Sequence, residues 1–344
     1  MTVLYVASDR EGAGKTTLCA TLAWRMARRG KKPAVFKPLV AAGPDPISDQ
    51  DATIYTKLLP ALGLPEDETS LGWPVKLPAD GLTADVLDRI KAASDRFSDG
   101  ADAVLVEGSC ALSVEESARI AAALDADVLV VVRYQRDLSA AQLRQWRDLL
   151  NGRLVGFLIN GRTRHLGTEA ASGLLPAMES DGLVSLGIVP EDRRLLGVTL
   201  AQLAEHLDGR FVVNPSDDGT LVEHLMVGGR STDPGHLYFG LRENKAVIVR
   251  GDRPDVQMPA LTTPTACMVL TAGVDPIEYV KYEAEQEEVP IMVVPGETLD
   301  TMDALNTLID RARFDHPLKL SRYSDMLDQH ADMPALCARL GLES

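Results

Sequence analysis

The stretch Ala7-Ser8-Asp9-Arg10-Glu11-Gly12-Ala13-Gly14-Lys15-Thr16-Thr17 decides the fold of this chain. Before it lies the apolar run Thr2-Val3-Leu4-Tyr5-Val6, and after it a segment, 16–29, whose leucines and alanines recur at spacings of three and four. A buried strand, a glycine-rich turn and an amphipathic helix in that order form the context a phosphate-binding loop needs. Glycines let backbone amides turn inward around a phosphate, and the helix amino terminus adds partial positive charge. Lys15 reaches the outer phosphates, and the Thr16 hydroxyl can ligate magnesium. Glu11, Gly12, Ala13, Gly14, Lys15, Thr16 and Thr17 are therefore the candidate nucleotide-binding residues. The strict pattern GxxxxGK[ST] wants glycine at position 9, where Asp9 stands. The competing reading is a glycine-rich turn that caps a helix and holds nothing; the strand before it and the helix after it weigh against that.

Working outward, short apolar runs at 34–39, 103–106, 127–132, 154–160 and 184–189 read as buried strands, with helical patterns at 83–98 and 138–150 between them. Alternating strand and helix implies an α/β fold, a P-loop NTPase-type mainly parallel sheet with flanking helices. After the turn-forming cluster Asn214-Pro215-Ser216-Asp217-Asp218-Gly219 a second series begins, with strands expected at 246–250, 267–271 and 290–294 and helices at 276–286 and 298–313. The chain thus divides into a nucleotide-binding domain over 1–210, a smaller α/β domain over 215–315 and a helical tail over 316–344, in which Pro334 opens the last helix.

Composition agrees with two globular cores: 344 residues, 45% hydrophobic and 25% charged, exclude a disordered or collagen-like chain. Against 35 Lys and Arg stand 50 Asp and Glu, a net charge of −15 that argues against nucleic acid or an anionic membrane as partner. Neither a basic leader nor a run of about 18 apolar residues occurs, so a cytoplasmic location is expected. Cys19, Cys110, Cys267 and Cys337 show no metal-ligand spacing and read as buried thiols.

Magnesium takes one or two carboxylates together with phosphate oxygens and water. Glu107 follows the run 103–106 and so stands at the carboxyl edge of the sheet, where α/β folds bind ligands. Asp49 and Asp51 lie in the loop after the second strand, and Lys37 ends that strand. Each alone also reads as a solvated strand end or surface charge; their shared edge beside the loop favours a site. Thr16, Asp51 and Glu107 are the expected metal ligands, with Asp49 the alternative to Asp51, and Lys15 and Lys37 the expected catalytic cations.

Gly12-Ala13-Gly14-Lys15-Thr16-Thr17 resembles the variant loop of the ParA/MinD and amidoligase branch of P-loop proteins. Together with Val35-Phe36-Lys37-Pro38-Leu39, Ser48-Asp49-Gln50-Asp51 and Leu105-Val106-Glu107-Gly108, it resembles dethiobiotin synthetase and its cobyrinic acid a,c-diamide synthase relatives. That resemblance implies an ATP and Mg²⁺ site with Asn160 and Pro190 at the base, and a homodimer in which Arg10 stands where the branch carries a signature lysine. On local grounds Asn160 equally reads as a turn cap before Gly161. Ser109-Cys110-Ala111-Leu112 departs from the synthetase substrate loop, so no biotin-pathway substrate is implied.

Further along, Val249-Arg250-Gly251-Asp252-Arg253-Pro254-Asp255-Val256-Gln257 and Val269-Leu270-Thr271-Ala272-Gly273 resemble the DRTGG domain, and the whole arrangement resembles the amino-terminal part of long bacterial phosphotransacetylases. Asp252, Arg253 and Asp255 are candidates for a second small-molecule site, the alternative being a turn braced by Asp–Arg pairs. Acetyl transfer is not implied, because no acetyltransferase segment is found. Two functions stay open: an ATP-binding regulatory or sensing module related to phosphotransacetylase, and an ATP-dependent ligase or kinase acting on a small carboxylate.

Overall fold

The computed structural model describes residues 2–40, 54–55, 58, 75–76, 81–150, 152–163, 170–229, 235–308, 312 and 314–339. The chain forms two compact units, one from Met1–Asp192 with Phe314–Ser344 and the other from Arg193–Arg313.

In the first unit the chain runs β1 (Thr2–Ser8), α1 (Lys15–Arg28), β2 (Pro33–Phe36), α2 (Ala84–Ser98), β3 (Ala103–Glu107), α3 (Val114–Ala123), β4 (Asp127–Arg133), α4 (Ala140–Leu150), β5 (Leu154–Arg162), α5 (Leu175–Ser180) and β6 (Ser185–Pro190). The six strands make one parallel sheet in the order β2-β3-β1-β4-β5-β6. Leu4, Tyr5, Val6, Val104, Leu105 and Val106 are all fully buried, because both faces of the sheet are covered. Val86, Ile90, Ile120, Leu143 and Trp146 from α2, α3 and α4 pack on one face. Helix α2 starts where the sequence puts a capping threonine, Thr83, whose hydroxyl accepts from Val86 N, and α3 opens with a Ser113–Glu116 capping box.

The second unit contains α6 (Leu200–Leu207), β7 (Arg210–Val213), β8 (His224–Val227), α7 (Gly235–Phe239), β9 (Lys245–Arg250), α8 (Pro254–Leu261), β10 (Thr265–Thr271), α9 (Glu278–Gln286), β11 (Ile291–Val293) and α10 (Thr298–Leu308). Its sheet is ordered β7-β11-β10-β9-β8, parallel except for the antiparallel edge strand β7. Strands β7 and β8 escape the apolar-run reading because each has four residues, one of them buried. The 214–219 cluster is a turn inside this unit, with Asp217 Oδ1 accepting from Gly219 N at 2.8 Å. It does not separate the units, since Val198–Thr199 and Leu221–Val222 pair across it. The structural division falls at Asp192/Arg193, upstream of the expected 210.

The last segment, α11 (Pro317–His330) and α12 (Met333–Arg339), returns to the first unit. Helix α11 packs on α1 and β6. Arg25 of α1 makes a two-pronged bond to Asp328, at 2.9 and 2.7 Å, and donates to Ser324 Oγ at 2.6 Å. Gly187 bridges Ala331, and Asp332 N donates to Leu186 O at 2.7 Å. What the sequence reads as a tail is therefore part of the core of the P-loop unit. The thiol expectation needs one correction: Cys19, Cys267 and Cys337 are buried, but Cys110 is exposed, since it lies in the loop after β3 rather than in an element.

Lys319 of α11 is 2% exposed, and burial pushes its ammonium down to about 8 against an opposing pull from Asp315. Lys245 in the second unit is held down to about 8 by burial as well. Between that value and the ordinary ~10.4 the unfolded chain binds a proton that the folded chain does not, so stability rises with pH across this window. Denaturant unfolding should show that rise, reaching up to about 3 kcal/mol for the Lys319 part. Lys319→Met should remove that part and leave the Lys245 part, and an unchanged slope in that variant would contradict the assignment. Above ~10 the trend reverses, because burial pushes the Tyr5 phenol up to about 12 and the unfolded tyrosine ionises first.

Candidate functional site

The loop between β1 and α1 leaves the carboxyl edge of the sheet at its centre, where β1 has β3 on one side and β4 on the other. This reversal of strand order is where α/β sheets open a ligand crevice. Gly12 and Gly14 both adopt positive φ, 67° and 100°, which turns the loop back over the start of α1. At Gly14 a side chain is excluded twice over, by the dihedral and because a Cβ would fall on the Asn160 amide. Helix α1 then begins with no side-chain cap and no acidic residue in its first turn. Its amino terminus is therefore free to meet an anion.

Position 9 does not require glycine: Asp9 is not among the described residues with positive φ. Its carboxylate ties the loop to the sheet, accepting from Arg133 N at 3.2 Å through Oδ1 and from Arg10 Nε at 2.7 Å through Oδ2. That explains why the loop departs from the strict pattern. The Arg10 guanidinium lies within its own loop. Glu11 is exposed, and Ala13 is fully buried.

Lys15 is only 7% exposed, and its ammonium donates to Ser8 Oγ at 2.6 Å. Among the described residues no carboxylate pairs with it. Ser8 in turn donates to Arg10 O at 2.8 Å, so the last residue of β1 spans both sides of the loop. Thr16 Oγ1 donates to Glu107 Oε1 at 2.8 Å, joining the first turn of α1 to the end of β3. Glu107 is 1% exposed, and Tyr55 OH donates to its other oxygen. Lys37, one residue past the end of β2, is 7% exposed on the same edge, since Phe36 pairs with Val106. Asp49 and Asp51 lie outside the described residues.

Asn160 is 9% exposed, and its Nδ2 donates to Ala13 O at 2.9 Å. The side chain thus braces the phosphate loop from below, a position neither of its two sequence readings contains. Pro190 ends β6 in register with Arg162, next to Glu191, whose carboxylate pairs with Arg133 at 3.3 Å. Sequence reasoning missed Ser8, Tyr55 and Arg133. Ser8 carried a signal, being the last residue of the strand feeding the loop; Tyr55 carried none.

In the second unit, Asp252 is bound by Arg250 and Asp255 by Arg253, and Arg250 also reaches Glu297 at 2.9 Å. Each arginine fork at this strand end is therefore met by carboxylates within the unit. The neighbouring guanidiniums hold the Asp252 and Asp255 carboxyls below the usual range.

A family model described as AAA domain matches residues 2–197, and one described as DRTGG domain matches residues 202–308. A phosphate acetyltransferase of Deinococcus radiodurans is 26% identical over 99% of this chain and 51% of its own length. That of Nitratidesulfovibrio vulgaris is 23% identical over 98% and 51%. The chain spans about half the length of these curated relatives. Among solved structures, cobyrinic acid a,c-diamide synthase from Mycobacterium smegmatis with bound ADP and magnesium is 18% identical. The match covers 56% of this chain and 88% of that one at a TM-score of 0.36. The CBS and DRTGG domains of the regulatory region of Clostridium perfringens pyrophosphatase are 13% identical over 45% and 74%, at a TM-score of 0.30. Through residues 2–197 the chain belongs to the AAA domain family, with a DRTGG domain following that match.

Proposed function

We propose that this chain binds ATP with Mg²⁺ at the β1–α1 loop and serves a regulatory or sensing role connected with phosphate acetyltransferase. The observation that carries the reading is Lys15: a buried ammonium with no carboxylate beside it among the described residues, at an uncapped helix amino terminus. A buried cation without a counter-charge is costly, and a triphosphate is the anion this geometry fits. The donor set also fits the cation, since a threonine hydroxyl and a buried carboxylate are oxygen ligands of the kind magnesium takes. When bound, Mg²⁺ neutralises phosphate oxygens. Thr16 and Glu107 would hold it, Lys15 would bind the outer phosphates, and Asn160 would keep the Ala13–Gly14 peptide oriented. The regulatory part rests on the DRTGG match and on the phosphate acetyltransferase relatives. A cytoplasmic homodimer completes the proposal, and no helix among the described residues is long and apolar enough to cross a membrane.

Lys37 favours a second reading, an ATP-dependent ligase or kinase acting on a small carboxylate. It is a second buried lysine on the same sheet edge, where it would offset charge on a transferring phosphoryl group. A thermal-shift panel separates the two. Mg·ATP should raise the melting temperature in both, by the equivalent of about 2.7 kcal/mol at 100 times Kd. The regulatory reading further expects a metabolite such as acetyl phosphate or coenzyme A to change ATP affinity without turnover. Phosphate or ADP release driven by a carboxylate would establish the enzyme instead. No shift with Mg·ATP at any concentration would sink both.

A further inference from the structure

Glu107 is met by a hydroxyl on each of its oxygens: Thr16 donates to Oε1 at 2.8 Å, and Tyr55 donates to Oε2. All three side chains converge on one buried point, with Glu107 1% and Tyr55 0% exposed. A carboxylate at that depth needs donors or a cation to offset its lost hydration. The two hydroxyls differ in what a cation would do to them. Thr16 oxygen keeps lone pairs beyond its single proton, so it can go on donating to Oε1 while serving as a ligand. The Tyr55 phenol instead occupies one of the two acceptor sites on Oε2, so a divalent cation, or a water in its shell, that binds this oxygen has to share it with the phenol.

We propose that Tyr55 is a positioning residue of this site, whose phenol holds Glu107 while no cation is present and competes with the cation shell for Oε2. This inference rests on the nucleotide and cation reading given above. Because coupling is reciprocal, what loosens Tyr55 strengthens cation binding, and cation binding loosens Tyr55. The residue carries no such signal in sequence, and it ties the short described segment at 54–55 directly to the phosphate-loop helix through one carboxylate.

Tyr55→Phe keeps the ring and removes only the hydroxyl. ATP binding is measured by calorimetry across a Mg²⁺ series and in EDTA. The variant should need about five- to tenfold less Mg²⁺ for half-maximal binding, the scale of one charge-assisted hydrogen bond, each protein being referred to its own affinity in EDTA. In the wild type, adding Mg²⁺ with ATP should shift the near-ultraviolet tyrosine band, and that shift should be absent from the variant. An equal or greater Mg²⁺ requirement in the variant overturns the proposal while leaving the nucleotide site intact. If the variant does not melt cooperatively, the wild-type spectrum decides: a tyrosine band that Mg²⁺ leaves unmoved overturns it. A wild type that binds no ATP under any condition overturns this inference and the reading beneath it.

Discussion

Lys15→Met removes most of the stabilisation that Mg·ATP gives the wild type and weakens ATP binding on the order of 100-fold, the scale of losing a charged hydrogen bond to phosphate in a buried site. The same substitution leaves the ligand-free protein as stable as before or more so, because it removes an ammonium that is 7% exposed and pairs with no carboxylate among the described residues. The opposite signs matter, since a residue that merely propped up the fold would lower the melting temperature with and without nucleotide. Differential scanning calorimetry of both proteins with and without Mg·ATP reads both effects. A lower ligand-free melting temperature accompanied by an intact ATP shift would show that Lys15 is structural.

Gly187→Val breaks the first unit at a place far in sequence from the phosphate loop. Gly187 has φ 124°, and a Cβ there would strike His330 O and crowd Ala331 Cα, both backbone atoms of the returning C-terminal segment. Backbone cannot yield as a flexible side chain can, so strain and lost packing together cost about 3 kcal/mol or more. The bridge to Ala331 and the Asp332–Leu186 hydrogen bond are lost, and α11 is released from β6. Hydrogen exchange over 317–339 should rise strongly in the variant, with a melting temperature several degrees lower. Wild-type protection of α11 in that variant would show that the segment is held by Arg25 and its partners alone.

The strand–loop–helix at the front of the chain was legible because its determinants are local: an apolar run, two glycines at positive φ, and a lysine and threonine opening a helix. Glu107 and Lys37 were legible for the same reason, each lying at the end of a strand the sequence already marked. What was not legible came from contacts across long stretches of chain. The Arg25–Asp328 pair joins residues 303 positions apart, and nothing local to α11 says that it returns to α1. Asn160 reads from the sequence as a base contact or a turn cap, but its work as a brace under Ala13 depends on how far β5 reaches past the loop, which only the folded sheet sets. Tyr55 sits on Glu107 from 52 positions away with no pattern around it. In sequence Asp9 stands where the strict motif wants glycine. In the fold it is a tie between the loop and β4.

The most direct test of the central claim is calorimetric titration of ATP into the wild-type chain with Mg²⁺ present, alongside Lys15→Met. Saturable binding of one nucleotide per chain is expected in the wild type, weakened when EDTA removes the cation and weakened on the order of 100-fold in the variant. Absence of saturable heat in the wild type, or equal binding in the two proteins, would contradict it.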